Sequence, residues 1–218
     1  MEKQLVLPGE KIADGRINMQ NVYFDGTSTY AAVVGTLDSQ GHYIPLETRY
    51  KATVGDVVIG TVMDVIHAGY RVDLNLPQSG FVPTRNTKIE LQLGDFILCR
   101  VKSVSEVGDV DLGDVRRLPK GKIIQFPSAK VPRLIGRKSS MLLLLKTYAG
   151  GELMVGNNGY VWISDNSNIP LVLKAIKLIE MKAHKSGLTD SVAKMLKDET
   201  GLDLEVSQIE GENYEQQF

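Results

Sequence analysis

The chain has 218 residues, a formal net charge of −1, 43% hydrophobic and 23% charged residues, and a single cysteine. That balance belongs to a globular protein of one to three small domains and excludes a disordered chain; one cysteine excludes an internal disulfide framework and a multi-thiolate metal site. No apolar run approaches the ~20 residues of a membrane span, and no sustained apolar stretch follows the opening MEKQLVLPGEK, so the chain reads as cytoplasmic.

Residues 1–52 predict a β-rich domain. Pro8-Gly9, Asp14-Gly15, Asp25-Gly26 and Gln40-Gly41 supply turn signals. Short apolar runs such as Tyr30-Ala31-Ala32-Val33-Val34 and Tyr43-Ile44-Pro45-Leu46 lie between them. A unit this small has a thin core and needs a neighbour to cover it.

Residues 53–118 predict five short strands. From Val57 to Val65 every second residue (Val57, Ile59, Thr61, Met63, Val65) is assigned to the core. A turn at His67-Ala68-Gly69 leads to Tyr70, Val72, Leu74 and Leu76, which alternate with Arg71, Asp73 and Asn75. Gly80-Phe81-Val82-Pro83 forms the third strand, and Ile97, Cys99 and Val101 mark the inner side of the fourth. Val110-Asp111-Leu112 gives the fifth. Five short strands in this space predict a small closed barrel of the oligonucleotide-binding (OB) type.

Residues 119–198 switch to mixed α and β. Lys122–Phe126 reads as a strand, Val131–Ile135 and Ser139–Tyr148 as helices, and Glu152–Gly156 and Tyr160–Ser164 as strands. Asn157-Asn158-Gly159 is a tight-turn signal, because Asn and Gly tolerate positive φ. Asn168 is placed as a helix N-cap, with Pro170 in the first turn of a helix running to about His184. Thr189 is placed as the cap of a further short helix. The predicted fold is therefore multidomain, β plus α+β, with the third domain in the order β-α-α-β-β-α.

Charge is unevenly distributed. Residues 119–198 carry thirteen Lys/Arg against five Asp/Glu, and 119–151 carry seven basic residues and no acid. Residues 199–218 form an acidic tail, with six acids and no base. A concentrated positive field suits a polyanion, since Lys and Arg displace counterions from phosphates. A solvated basic surface without a ligand has the same composition. The loop Ile135-Gly136-Arg137-Lys138-Ser139 is the sharpest candidate. Its glycine admits a close backbone, and the helix that follows offers free N–H groups.

Catalytic groupings do not emerge. His42, His67 and His184 fall in three segments without ligand spacing, and Cys99 lies on the apolar side of its strand. Asp64, Asp73, Asp109, Asp111 and Asp114 are acids of the type used in two-metal phosphodiester cleavage, but they fall on exposed strand sides or in turns. The phosphate-binding pattern Gly-x-x-x-x-Gly-Lys-Ser/Thr is absent. The expectation is a protein with no catalytic site, no cofactor and no metal.

Residues 120–184, with Ile135-Gly136 joining two helices, resemble a KH domain, which clamps about four nucleotides at an I-G-x-x-G loop. Ser139 stands where that loop has its second glycine. The resemblance implies RNA contact through Gly136, Arg137, Lys138 and Ser139. Val54–Val62 with Gly69–Leu74, Gly80–Pro83 and Leu93-Gly94-Asp95 resemble an S1-type RNA-binding domain. It implies base stacking near His67, Tyr70 and Phe81. Arg71, Arg85, Arg100 and Lys102 are the barrel's candidate cations for the RNA backbone, with solvation of the barrel surface as their alternative role. Pro83 stands where the family often has histidine, and the alternation of Tyr70 with Val72 and Leu74 gives it a core reading as well.

The layout of β segment, S1-type barrel and KH domain resembles the RNA-binding cap subunits of the exosome, of the archaeal Rrp-four family. Leu7-Pro8-Gly9-Glu10 is similar to that family's opening motif, and Pro45-Leu46 through Tyr50 into Gly55–Gly60 to its domain junction. Gly156-Asn157-Asn158-Gly159 followed by Tyr160-Val161-Trp162-Ile163 is similar to its G-x-N-G motif. The resemblance implies a trimeric cap, of copies of this chain or with a zinc-ribbon subunit, on a hexameric ring of RNase-PH-like subunits. Such a cap feeds single-stranded RNA to 3′-to-5′ phosphorolysis. It further implies that Gly156 to Gly159 are structural and that the first domain docks on the ring. A translation- or ribosome-associated protein would share the barrel and KH modules without a ring.

Overall fold

The structure, a computed structural model, describes residues 4–17, 21–37, 43–45, 50–183 and 187–202. The predicted Gln40-Gly41 turn, the junction 46–49, His42, His184 and residues 203–218 lie outside the described residues. The chain divides into two compact units, Met1–Arg49 and Tyr50–Phe218.

Among its described residues the first unit holds six strands: β1 (Gln4–Val6), β2 (Lys11–Asp14), β3 (Val22–Phe24), β4 (Ser28–Ala31), β5 (Gly35–Leu37) and β6 (Tyr43–Pro45). They form two antiparallel three-stranded sheets, ordered β1-β5-β6 and β2-β4-β3. The core is as thin as the length demands: Val6, Ala31 and Tyr43, flanked by Ile12, Val22 and Leu37. Asp25 builds the turn between β3 and β4. Its Oδ1 accepts the Thr27 N–H, the Ser28 N–H and the Thr27 hydroxyl at 2.8, 2.8 and 2.9 Å, the side-chain turn that favours Asp before Gly. These donors hold its carboxyl well below the usual carboxylate range. The run Tyr30–Val34 is not one strand, because β4 ends at Ala31 and the chain bends before β5.

The second unit begins with a closed barrel of five strands: β7 (Val57–Ile66), β8 (Gly69–Asp73), β9 (Gly80–Pro83), β10 (Phe96–Val104) and β11 (Val110–Arg117). Around the barrel the order is β7-β8-β9-β11-β10. Every neighbouring pair is antiparallel except β9 and β11, which run parallel through Val110↔Gly80 and Asp111↔Phe81. This is the OB-type arrangement. Its interior is filled by Val58, Val62, Tyr70, Val72, Leu74, Val82, Ile97, Cys99, Val101 and Leu112.

One phase assignment is corrected. In β7 the barrel interior takes Val58 and Val62, not the odd-numbered set. Val57 and Ile59 point outward into a second apolar cluster, and Met63 and Val65 are exposed. The strand is apolar on both faces near its start because both faces are covered, and a register shift between Val62 and Asp64 breaks the alternation.

The remaining elements are β12 (Gly121–Gln125), α1 (Val131–Ile135), α2 (Ser140–Ala149), β13 (Leu153–Val155), β14 (Tyr160–Ser164), α3 (Ile169–Lys182) and α4 (Leu188–Thr200). They give the expected β-α-α-β-β-α order plus one helix. The sheet order is β12-β14-β13, antiparallel throughout. The run Met141–Leu145 is nearly all buried because α2 is touched by α1, α3, α4 and β13. Asn168 caps α3, accepting the Leu171 N–H at 3.2 Å. The cap of α4 is Gly187 (φ 68°), not Thr189, which lies within the helix. A left-handed backbone is available there to glycine at no steric cost.

The outward cluster joins barrel to helical module. Ile59 and Leu98 of the barrel, Leu118 of the link, and Met154, Tyr160 and Trp162 of the module are buried together, with Val57, Phe96 and Ile123 against them.

Candidate nucleic-acid interface

The loop between α1 and α2 is built from left-handed backbone. Gly136 has φ 77°, Lys138 φ 50° and Ser139 φ 60°. At Gly136 a Cβ would lie 2.8 Å from both the backbone N and the Cβ of Met141, so only glycine fits the start of the turn. Ser139, at the position of the second glycine in the resembled loop, adopts left-handed backbone, which costs a serine about 1–2 kcal/mol. The loop thereby turns Arg137 and Lys138 out to solvent. Neither forms a salt bridge among the described residues, and nor does Arg133 on α1. An exposed cation pair beside the first free N–H groups of a ten-residue helix presents donors suited to a phosphodiester.

On the barrel, the structure separates the residues singled out in the sequence into two groups. Arg71 on β8 faces Asp64 on β7 and Phe81 on β9, and the row continues through Asp111 and Ser103. The Phe81 ring lies over Gly69, where a side chain would come within 2.9 Å of it. His67 is exposed in the two-residue turn beside it, and Arg85 is exposed in the short helical turn after β9. Among the described residues neither Arg71 nor Arg85 has an ion-pair partner. Arg71, Phe81, His67 and Arg85 therefore share the β8–β9 side.

Tyr70, Arg100 and Lys102 are not part of that face. Tyr70 is 8% exposed and belongs to the barrel core, with its hydroxyl accepting the Leu91 N–H at 3.4 Å. Its ring offers no open face to a base; Phe81 is the accessible aromatic. Arg100 and Lys102 sit on β10 and converge on Asp114. The Lys102 ammonium lies 2.5 Å and the Arg100 Nε 3.8 Å from the same carboxylate oxygen. The Arg100 guanidinium also donates to the Gly55 carbonyl at 3.3 Å. Asp114 takes φ 50° at a register shift in β11, which places its carboxylate between the two cations.

The hairpin Gly156–Gly159 inserts into the barrel. Pairing of β7 with β8 starts only at Thr61↔Asp73, so Ile59 lacks a strand partner on that side. Asn158, fully buried, fills the gap. Its Oδ1 accepts the Ile59 N–H at 3.2 Å, and its Nδ2 donates to the carbonyls of Ile59 and Leu74 at 2.7 and 2.9 Å. The Asn157 backbone N–H donates to the Val57 carbonyl at 2.8 Å, and its side chain donates to Asp56 at 2.9 Å. Asp56 also accepts from the Tyr50 hydroxyl at 2.7 Å and the Thr53 N–H at 3.0 Å. A Cβ on Gly156 would meet the Ile59 N at 2.7 Å, and one on Gly159 (φ 83°) the Phe126 carbonyl oxygen at 2.3 Å. Tyr160 donates its hydroxyl to Asp73 at 2.6 Å.

Among the described residues no cluster of three or more His, Cys, Asp or Glu could hold a metal ion, and no helix is long and apolar enough to cross a membrane. Cys99 is fully buried, and burial pushes its thiol up.

Comparison with known proteins agrees with this geometry. A KH-domain family model matches residues 121–169. The exosome complex component Rrp4 of Pyrococcus furiosus is 33% identical over 98% of this chain and 92% of its own. Rrp4 of Methanothermobacter thermautotrophicus is 32% identical over 98% of this chain and 74% of its own. A crystal structure assigned to an exosome complex RNA-binding protein superposes with a TM-score of 0.61 at 29% identity, over 70% of this chain and 97% of that one. The chain belongs to the archaeal Rrp4 family.

Within this Rrp4-family chain, two contributions escaped the sequence. Asp73, placed on the polar side of its strand, and Asp56 serve the seam through partners 87 and 101 positions away. The turn signal Asn157-Asn158-Gly159 marked the hairpin, but nothing local to it named the strand into which Asn158 inserts.

Proposed function

We propose that this chain is a non-catalytic RNA-binding subunit of a cytoplasmic exosome. In this reading it belongs to a trimeric cap, of copies of itself or with a zinc-ribbon subunit, on a phosphorolytic hexamer of RNase-PH-like subunits. The observation that carries the reading is the match to exosome component Rrp4 across 98% of the chain. It is supported by the uncompensated Arg137–Lys138 pair in a loop of left-handed backbone. Residues 1–52 are the ring-docking domain, 53–118 the S1-type barrel, 119–198 the KH-type domain and 199–218 an acidic tail. Arg137 and Lys138 hold phosphates, with Gly136 and Ser139 shaping their loop. Arg71, Arg85, His67 and Phe81 take the strand where it crosses the barrel. Arg100 and Lys102 have a lesser share, because Asp114 already neutralises much of their charge. Gly156, Asn157, Asn158 and Gly159 are structural.

The test is direct. The purified chain is incubated with a 5′-labelled unstructured RNA, phosphate and magnesium, and resolved on native and denaturing gels, alone and with an archaeal RNase-PH-like hexamer. Alone, it shifts the RNA in a salt-sensitive way and leaves it intact; with the ring, it co-migrates and speeds 3′-end shortening. Shortening by the chain alone would overturn the non-catalytic reading, and failure to join the ring would favour a role outside the exosome.

A further inference from the structure

We propose that the acidic segment 203–218 occupies the basic surface at the N-terminal end of α2 when RNA is absent, so that RNA must displace it. The proposal rests on the reading of that surface as an RNA site. It identifies what covers the surface before RNA arrives.

Residues 203–218 contain five acids (Asp203, Glu205, Glu210, Glu212, Glu215) and no base. Elsewhere in the second unit several cations already have acidic partners: Lys102 and Arg100 with Asp114, Arg117 with Asp95, and Lys174 with Glu199. Around α2 they do not. Arg133, Arg137, Lys138 and Lys146 make no salt bridge among the described residues, and 119–151 contains no acid at all. A cluster of cations without acidic partners and a base-free acidic segment lie in the same half of the chain.

Geometry then allows them to meet. The described chain ends at Leu202, whose carbonyl accepts the Tyr148 hydroxyl at 3.3 Å. Tyr148 is in the last turn of α2, and Arg137 and Lys138 precede its first residue. The segment is therefore rooted at one end of α2 and its target lies at the other. Ten helical residues span roughly 15 Å, whereas sixteen extended residues reach roughly 50 Å. Lys146 lies between root and target on the same helix. A tethered segment acts at an effective concentration on the order of a millimolar, so even a weak electrostatic contact competes with RNA.

The experiment measures fluorescence anisotropy of a labelled single-stranded RNA with three proteins. These are the full chain, a chain ending at Leu202, and a full-length chain carrying Asp203→Asn with Glu205, Glu210, Glu212 and Glu215 each changed to Gln. Both altered chains bind about three- to tenfold more tightly at low salt, and the advantage shrinks as salt rises. Reversing charge with Arg137→Glu and Lys138→Glu abolishes the difference. If all three chains bind RNA equally, the proposal is wrong while the RNA reading stands. If none binds RNA, that reading fails, and carbodiimide cross-linking of the RNA-free full chain decides the contact by itself. Cross-links from the segment to Lys138 or Lys146 support it, and their absence overturns it.

Discussion

Asn158 and Ile59 exchange two hydrogen bonds across the seam between the helical module and the barrel, the Ile59 N–H donating to Oδ1 and Nδ2 donating to the Ile59 carbonyl. A side-chain amide carries the same donor and acceptor as a peptide group, and here it stands in for the strand residue that β8 does not supply. The same Nδ2 satisfies the Leu74 carbonyl, so one side chain meets the needs of three buried backbone groups.

Replacing Asn158 by Leu leaves those three groups without partners, at about 1–3 kcal/mol each. Asn158→Leu is expected to lose at least about 3 kcal/mol in urea unfolding. Asn157→Ala, which removes only the half-buried bond to Asp56, is expected to lose about 1 kcal/mol.

Burial, and then the hydrogen bond its hydroxyl donates to the Asp73 carboxylate, push Tyr160 up to about 12. An unfolded tyrosine ionises near pH 10, so the unfolded chain releases this proton first. The stability that Tyr160 contributes is intact below about pH 10 and is lost as pH rises toward 12. Burial and Asp56 raise Tyr50 in the same direction. Tyr160→Phe should therefore flatten, without abolishing, the fall in stability in this alkaline window, and tyrosinate absorbance should show one fewer late-titrating group.

On the barrel, Phe81→Ala is expected to weaken RNA binding by about 1–3 kcal/mol, the worth of one stacked base. Tyr70→Phe should leave affinity unchanged, because the Tyr70 ring is within the core and its hydroxyl serves only Leu91. Equal loss in the two variants would remove Phe81 from the interface. Arg71→Ala should reduce the slope of log affinity against log salt by about one phosphate contact.

At the α1–α2 loop, Ser139→Gly relieves left-handed strain and should gain up to about 1 kcal/mol in thermal unfolding. RNA affinity should hold or improve, since nothing in the loop bonds through the serine side chain among the described contacts. Arg137→Glu with Lys138→Glu should leave stability within about 0.5 kcal/mol and weaken RNA binding at least tenfold at low salt.

What the sequence revealed depended on which faces water touches. Strand β8 was legible because Arg71 is solvated while Tyr70 and Val72 are not, but the alternation expected to run on through Leu76 stops at Asp73, beyond which Asn75 takes φ 59°. Strand β7 was not: Val57-Val58-Ile59 is apolar in both phases, and the cover on its outer face, Trp162 and Met154, lies about a hundred positions on. The α1–α2 loop announced itself through Gly136 and two cations, whereas the left-handed Ser139 could not be read from a residue that seldom adopts that backbone. Arg100 and Lys102 looked like their unpaired neighbours, because only a register shift in β11 brings Asp114 to them.

The stapled seam also fixes a length. The Arg137–Lys138 loop and the Arg71–Phe81 face belong to one compact unit. The link between barrel and module is held by the Leu118 N–H on the Phe96 carbonyl at 2.8 Å, and the hairpin by its insertion beside β7. A strand that touches both places meets a caliper with its jaws set, not a pair of tethered hands. Oligonucleotides too short to span the jaws gain one contact, and those that reach gain two at once. Affinity plotted against RNA length should therefore climb in a step.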